Sequence, residues 1–156
     1  MLDYSESARE ELKRVDHLIY VSLKYTRTVD VIKSIIDRLI SCCNFAIIDL
    51  LEHSKDKLED DIPESPAGRA SLIKKLFSAN QVILEFIDFY LFLRKLSRAD
   101  YEKINEFRRH VTMIANVDTK TYNIDIDTIT EYYHKTKKDI EQIEQIIKGQ
   151  INEVND

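Results

Sequence analysis

The chain has 156 residues, 44% hydrophobic and 33% charged, with a formal net charge of −5. That balance excludes a disordered chain and argues against a general affinity for nucleic acid. The length suits one domain, 1–156, whose core needs no disulfide or metal staple. Only 2 glycines and 2 prolines are present, too few for the turns of a sheet protein, so composition predicts a few long helices.

The N-terminus, MLDYSESAREELKR, is polar and acidic, unlike a signal or transit peptide, and a soluble, cytoplasmic protein is expected. The first helix is expected to open at Ser5 or Ser7, either able to cap it, with Glu10 and Glu11 set against the helix dipole. Leu12, Val15, Ile19 and Leu23 then recur at helical spacing until a break at Thr26–Thr28. A second helix runs from about Val29 to Lys57. It is amphipathic through Ile32, Ile35, Ile36 and Leu39, and apolar on nearly every side from Leu39 to Leu51. Cys42 and Cys43 diverge by about 100° on that helix, so they neither bridge nor chelate. They read as small buried hydrophobes in a reducing compartment.

The acidic stretch LEDDIPESP is the one convincing linker, and Ser65–Pro66 reads as N-cap and first helical residue. A helical pattern continues to about Leu96, with a kink or short interruption at Ser78–Asn80. Within it, Val82–Leu96 is nearly all apolar. Gln81, Glu85, Asp88 and Lys95 form one thin polar stripe, interrupted by Phe92. Such a helix is buried on most sides. At about 25 cal/mol per Å², leaving several of its side chains in water would cost several kcal/mol, so a homodimer covering part of this face is expected. Its apolar run is too short for a membrane span and carries Glu85 and Asp88, so no membrane is expected as a partner.

A fourth helix is expected over Arg98–Ala115, with Tyr101, Ile104, Val111 and Ala115 as its buried stripe, followed by NVDTKTYNID as an aperiodic loop. The last helix starts at Asp125 or Asp127. It carries a coiled-coil-like seam through Ile129, Tyr133, Thr136, Ile140, Ile143, Ile147, Gln150 and Val154. The fold expected is all-α, an up-down bundle of five long helices (four to six).

Candidate chemistry is sparse. Glu131 and His134 share a helix face, but a di-metal bundle needs two such pairs and further glutamates, so no metal is expected. Gly68 and Gly149 are too scattered for a phosphate loop, and no cofactor is expected. The stretch RKLSRADYEKINEFRRHV is locally basic and offers Arg98, Arg108, Arg109 and His110 as binding candidates. On the expected helix Arg108 falls in register with the buried stripe and needs an acidic partner, with Glu85, Asp88 and Asp49 available as structural ion-pair candidates. The alternative is an anion or phosphate contact in a helix-lined cleft.

The long first helix with SAREELKRVDHLIY, the helical hairpin after it, and EFRRHV leading to a looped segment and a last helix resemble HEPN-like domains. The resemblance implies a small helical bundle, often dimeric, of a family rich in RNA-cleaving members of toxin–antitoxin and defence systems. The family motif is an arginine, a polar residue, and a histidine some five to seven positions after the arginine. Arg109-His110 matches its first part. Counting from Arg108 or Arg109, the histidine's place is occupied by Met113, Ile114, Ala115 or Asn116, so the resemblance implies a degenerate member. Three functions are carried forward. The first is a non-catalytic homodimeric interaction module, binding protein or, through the basic stretch, RNA. The second is a HEPN-type RNase using Arg108 or Arg109. The third is a metal-dependent bundle enzyme at Glu131 and His134.

Overall fold

The computed structural model describes the backbone of residues 3–155 and the side chains of residues 3–150. The first helical rod comprises α1 (Tyr4–His17), a π-helical turn (Leu18–Ser22) and α2 (Leu23–Tyr25). Its N-cap is Asp3, whose carboxylate accepts from Glu6 N, rather than Ser5 or Ser7. Then come α3 (Val29–Glu52), α4 (Pro66–Leu76), α5 (Gln81–Arg98), three strands and α6 (Ile126–Asn155). Ser65 and Pro66 hold the expected cap and first-turn positions of α4. The interruption near Ser78–Asn80 is a true break, because Asn80 caps α5 by accepting from Ile83 N.

The chain is mainly helical, but it is not all-α. Instead of a fourth helix over Arg98–Ala115, a hairpin joins β1 (Asp100–Ile104) to β2 (Thr112–Val117). The expected loop NVDTKTYNID supplies the end of β2, a two-residue turn and β3 (Lys120–Ile124). The sheet is antiparallel in the order β1-β2-β3, with Tyr101 opposite Ala115 and Ala115 opposite Tyr122. The turn is built by Asp118 at φ 56°, a left-handed conformation that Asp tolerates better than most residues. Val111, Met113, Ala115 and Val117 are buried and alternate with the less buried Thr112, Ile114 and Asn116. That period of two, in a β-branched run, is the signature of a half-buried strand.

Helix α3 is the centre of the molecule. Along it Ile32, Ile35, Ile36, Leu39, Cys42, Cys43, Ile47 and Leu50 are at most 1% exposed. It packs against α1, α4, α5, α6 and β2. The cysteines are buried free thiols, and burial raises both pKa values above the ordinary range. On α5, Phe86 and Tyr90 are fully covered, and the Tyr90 hydroxyl donates to Asn44 of α3. Phe89 and Phe92 are half-covered, resting edge-on against Tyr132 of α6, with Phe92 also against Tyr122 of β3. The α6 seam is intramolecular: Ile129, Tyr133, Thr136, Ile140, Ile143 and Ile147 are all buried, and α6 packs on α3. Gln150 is half-buried, and the side chain of Val154 lies outside the described residues.

One seam-flanking residue is costly. Asp139 is 7% exposed, and its Oδ2 has no hydrogen-bond partner, with Lys135 Nζ at 3.7 Å. Burial raises its pKa above 3.8, and the nearby lysines offset this only in part. As pH falls through this raised value, the folded protein takes up a proton before the unfolded chain does, so stability rises. At neutral pH the buried charge works against folding. Asp139→Asn is expected to raise the thermal midpoint at pH 7 by roughly 2–4 °C, the shift that about 1 kcal/mol produces at this length. Calorimetry across pH is expected to show the difference closing near about pH 4.

Candidate ligand-binding cleft

The cleft lies at one end of the molecule, where the α1–α2 rod meets the β1–β2 loop and the start of α6. Its first wall owes its shape to the π-turn. There Leu23 N–H donates to the Leu18 carbonyl, one residue further back than in an α-helix. The wider turn lets Ile19 and Leu23 both enter the core while Tyr20 and Val21 swing out, 50% and 41% exposed. Just below, Tyr133 Oη donates to Asp16 Oδ2 at 3.0 Å, tying α6 to α1. Burial and the adjacent carboxylate push this phenol up to about 12.

The second wall is the loop 105–111. Phe107 N donates to the Arg27 carbonyl at 2.6 Å, and Glu106 Oε2 accepts from Val29 N at 3.1 Å. Glu106 therefore caps α3 from across the chain, alongside the local cap Thr28, which accepts from Val31 N. Lys103 reinforces the tie through Asp30 at 3.0 Å, a hydrogen bond that raises its pKa. Asn105 and Phe107 both have positive φ, 56° and 66°. Asn accepts that conformation readily, whereas for a phenylalanine it is strained.

These walls enclose a cleft of about 560 Å³. Ile19, Leu23 and Ile126 give it an apolar floor, and Lys24, Arg27, Arg109 and His110 bring positive charge or a titratable ring. Asp125, Asp127 and Thr130 line the α6 side. Asp125 is engaged as the α6 cap, accepting from Thr128 N at 2.8 Å. Among the described residues, Lys24, Arg27 and Arg109 form no ion pair, and neither does neighbouring Arg108. Arg27 Nε is buried with no hydrogen-bond partner. A buried donor left unmatched costs about 1–3 kcal/mol and is expected to have a use.

The cleft also has an apolar rim. Among the described residues the exposed large hydrophobics are Tyr20, Val21, Tyr25, Ile104 and Phe107, all on the two segments joined by the Phe107–Arg27 bond. Tyr25 is 79% and Phe107 76% exposed. Leaving a large aromatic so open forgoes up to about 1.5–3 kcal/mol of burial, which suggests a ligand-facing role.

The sequence candidates are thus partly united. Arg109 and His110 line the cleft, while Arg108 is exposed on the same loop. Arg98 ends α5 and lines a separate groove with Arg94 and Lys95. The expected pairing of Arg108 with Glu85, Asp88 or Asp49 does not occur, because without a helix Arg108 has no buried stripe to occupy. Glu85 accepts from Gln81 at 3.2 Å, Asp88 pairs with Lys74 at 2.7 Å, and Asp49 faces His53 at 3.3 Å. Glu131 and His134 are both exposed on α6. Sequence reasoning missed Tyr20, Lys24, Arg27, Asp125 and Asp127 as cleft residues. The available signal was the break at Thr26–Thr28 with an arginine inside it, since connecting loops carry binding residues disproportionately.

The loop is held by a cap that a single change removes. Glu106→Ala is expected to cost about 1 kcal/mol, the size of a lost N-cap. It is also expected to speed amide exchange at Val29 and Phe107 by hydrogen-exchange NMR, with the α6 seam unaffected. Searches of protein-family models, of curated proteins and of solved structures found no match to this chain.

Proposed function

We propose that this protein is a non-catalytic binding module whose ligand is RNA, held at the cleft between the α1–α2 rod and the loop 105–111. The observation that carries the reading is the set of cations there that form no ion pair among the described residues: Lys24, Arg27 and Arg109 in the cleft, with Arg108 beside it on the loop. In a chain of net charge −5 such a cluster is a local exception, and phosphate groups suit both its charge and the forked donors of arginine. Thr130, Asp125 and Asp127 add hydroxyl and carboxylate acceptors on the opposite wall, suited to ribose hydroxyls.

Fluorescence anisotropy with labelled RNA is expected to show binding that weakens as salt rises, with a log–log slope on the order of −2 to −3 for four cations. Arg109→Ala is expected to weaken binding severalfold and lower that slope by about one. Arg98→Ala, in the separate groove, is expected to leave binding unchanged. RNA binding that is absent, or indifferent to Arg109, would sink the proposal.

A second reading, an RNase of HEPN type, is favoured by one observation: Arg109 and His110 line the same cleft. RNA fragments produced by the wild type and lost in both Arg109→Ala and His110→Ala would replace the binding module with this enzyme.

The module is further proposed to pair with a second copy. The support is the half-covered flank formed by Phe89, Phe92, Tyr122 and Tyr132, an aromatic patch on α5, β3 and α6. Among the described residues no helix is long and apolar enough to cross a membrane, so a lipid span does not account for it. Sedimentation at micromolar concentration is expected to give twice the chain mass, and Phe92→Glu the single-chain mass. A wild-type monomer would remove the pairing and leave the RNA reading standing.

A further inference from the structure

We propose that the RNA taken by this cleft is unpaired, and that its bases stack on a rim of Tyr20, Tyr25 and Phe107 while its phosphates meet Arg27 and Arg109. This rests on the RNA reading above and adds the form in which RNA is recognised. In a duplex the base faces are hidden in the stack, leaving phosphates, ribose hydroxyls and groove edges for a protein to touch. A surface made for duplex therefore needs cations and polar groups but gains little from open aromatic rings. This surface has the rings. Tyr25 and Phe107 are 79% and 76% exposed, and Tyr20 is half-exposed at the cleft itself. Cations interleaved with aromatic platforms are what an unpaired strand requires, because every base offers a face to stack and every linkage a phosphate to neutralise.

The placement of each ring has an identifiable cause. The π-turn swings Tyr20 out of the core, and Tyr25 ends the rod two residues before Arg27. Phe107 is the most telling. It has φ 66°, and its amide is bonded to the Arg27 carbonyl, so a strained backbone holds an apolar ring in water next to the segment that carries Arg27. Glycine at that position would relieve the strain and remove the exposed ring. A phenylalanine there is explained by what the ring touches when a ligand is present. A lipid surface fits less well, because it meets protruding groups, whereas Arg27 and Arg109 line a concave site.

The test uses the full chain with two probes, an oligouridylate of about a dozen nucleotides and an RNA duplex of equal length, at one salt concentration. The single strand is expected to bind at least about tenfold tighter than the duplex. Tyr25→Ala and Phe107→Gly are each expected to weaken single-strand binding by about tenfold, while Tyr25→Phe, which keeps the ring, retains it. Circular dichroism and thermal midpoint serve as the folding control, and Phe107→Gly is expected to melt no lower than wild type. Equal binding of duplex and single strand, or wild-type affinity in both ring-removed variants, would overturn the stacking proposal and leave the RNA reading intact. Failure to bind either RNA would overturn both. The same would follow if the ring variants lost attachment to phosphatidylserine vesicles, or to a protein, instead of to RNA.

Discussion

The constraint on which the rest of this structure depends is the enclosure of α3. Half of its 24 residues are buried, over a broad arc that leaves Asp30, Ser34, Asp37 and Arg38 exposed on one stripe. A helix with so wide a buried face must be covered on most sides. Four helical rods provide most of that cover, α1, α4, α5 and α6, and the inner face of β2 packs on α3 as well. The small sheet is therefore a structural lid on α3, supplied by Val111, Met113, Ala115 and Val117. Its position fixes where the β1–β2 loop must lie, and so where the binding cleft can form.

The same helix anchors the cleft through its N-terminus. The first N–H groups of any helix lack intrahelical partners and must be satisfied by something. Here Thr28 serves Val31 and Glu106 serves Val29. A backbone requirement of α3 is met by the loop that also carries Arg108, Arg109 and His110. Fold stability and site geometry thereby share a residue, and the loop stays in place although much of it is exposed. Among the described residues Lys24, Arg27, Arg108 and Arg109 at this end form no ion pair, while Lys103 alongside is held by Asp30. An arrangement that satisfies the structural groups and leaves the ligand-facing ones unmatched is suited to binding.

Much of the fold was legible in the residues. Ile129 to Ile147 recur at alternating spacings of four and three, and all the named positions between them are buried, because helical periodicity is a local property of a chain. Ser65–Pro66 likewise carried its cap in two residues. The segment Arg98–Ala115 was misleading because two periods overlap in it. Tyr101, Ile104, Val111 and Ala115 match a helix, while Val111, Met113, Ala115 and Val117 match a strand. Thr112, Ile114 and the other β-branched residues favour the strand, and pairing with β3 decides it. The assignment of Arg108 to a buried stripe failed with the helix it required. Arg109 and His110 were recognisable as candidates because they concentrate charge locally. Lys24 and Arg27 were not, since an isolated cation in a break looks the same whether it faces solvent or a ligand.

By itself, the sequence determined that α3, α4, α5 and α6 and the first helical rod are helical, and the apolar character of α3 and α5, because these follow from side-chain spacing within a few turns. It also placed the basic stretch on the chain. Only the tertiary structure decided that this stretch spans the end of α5, β1 and the β1–β2 loop, and that Arg109 and His110 share a cleft with Tyr20, Lys24 and Arg27. The physical reason is separation: the bond from Val29 to Glu106 joins residues 77 positions apart. Contacts of that span follow from how α3 is enclosed and leave no periodic trace in the chain.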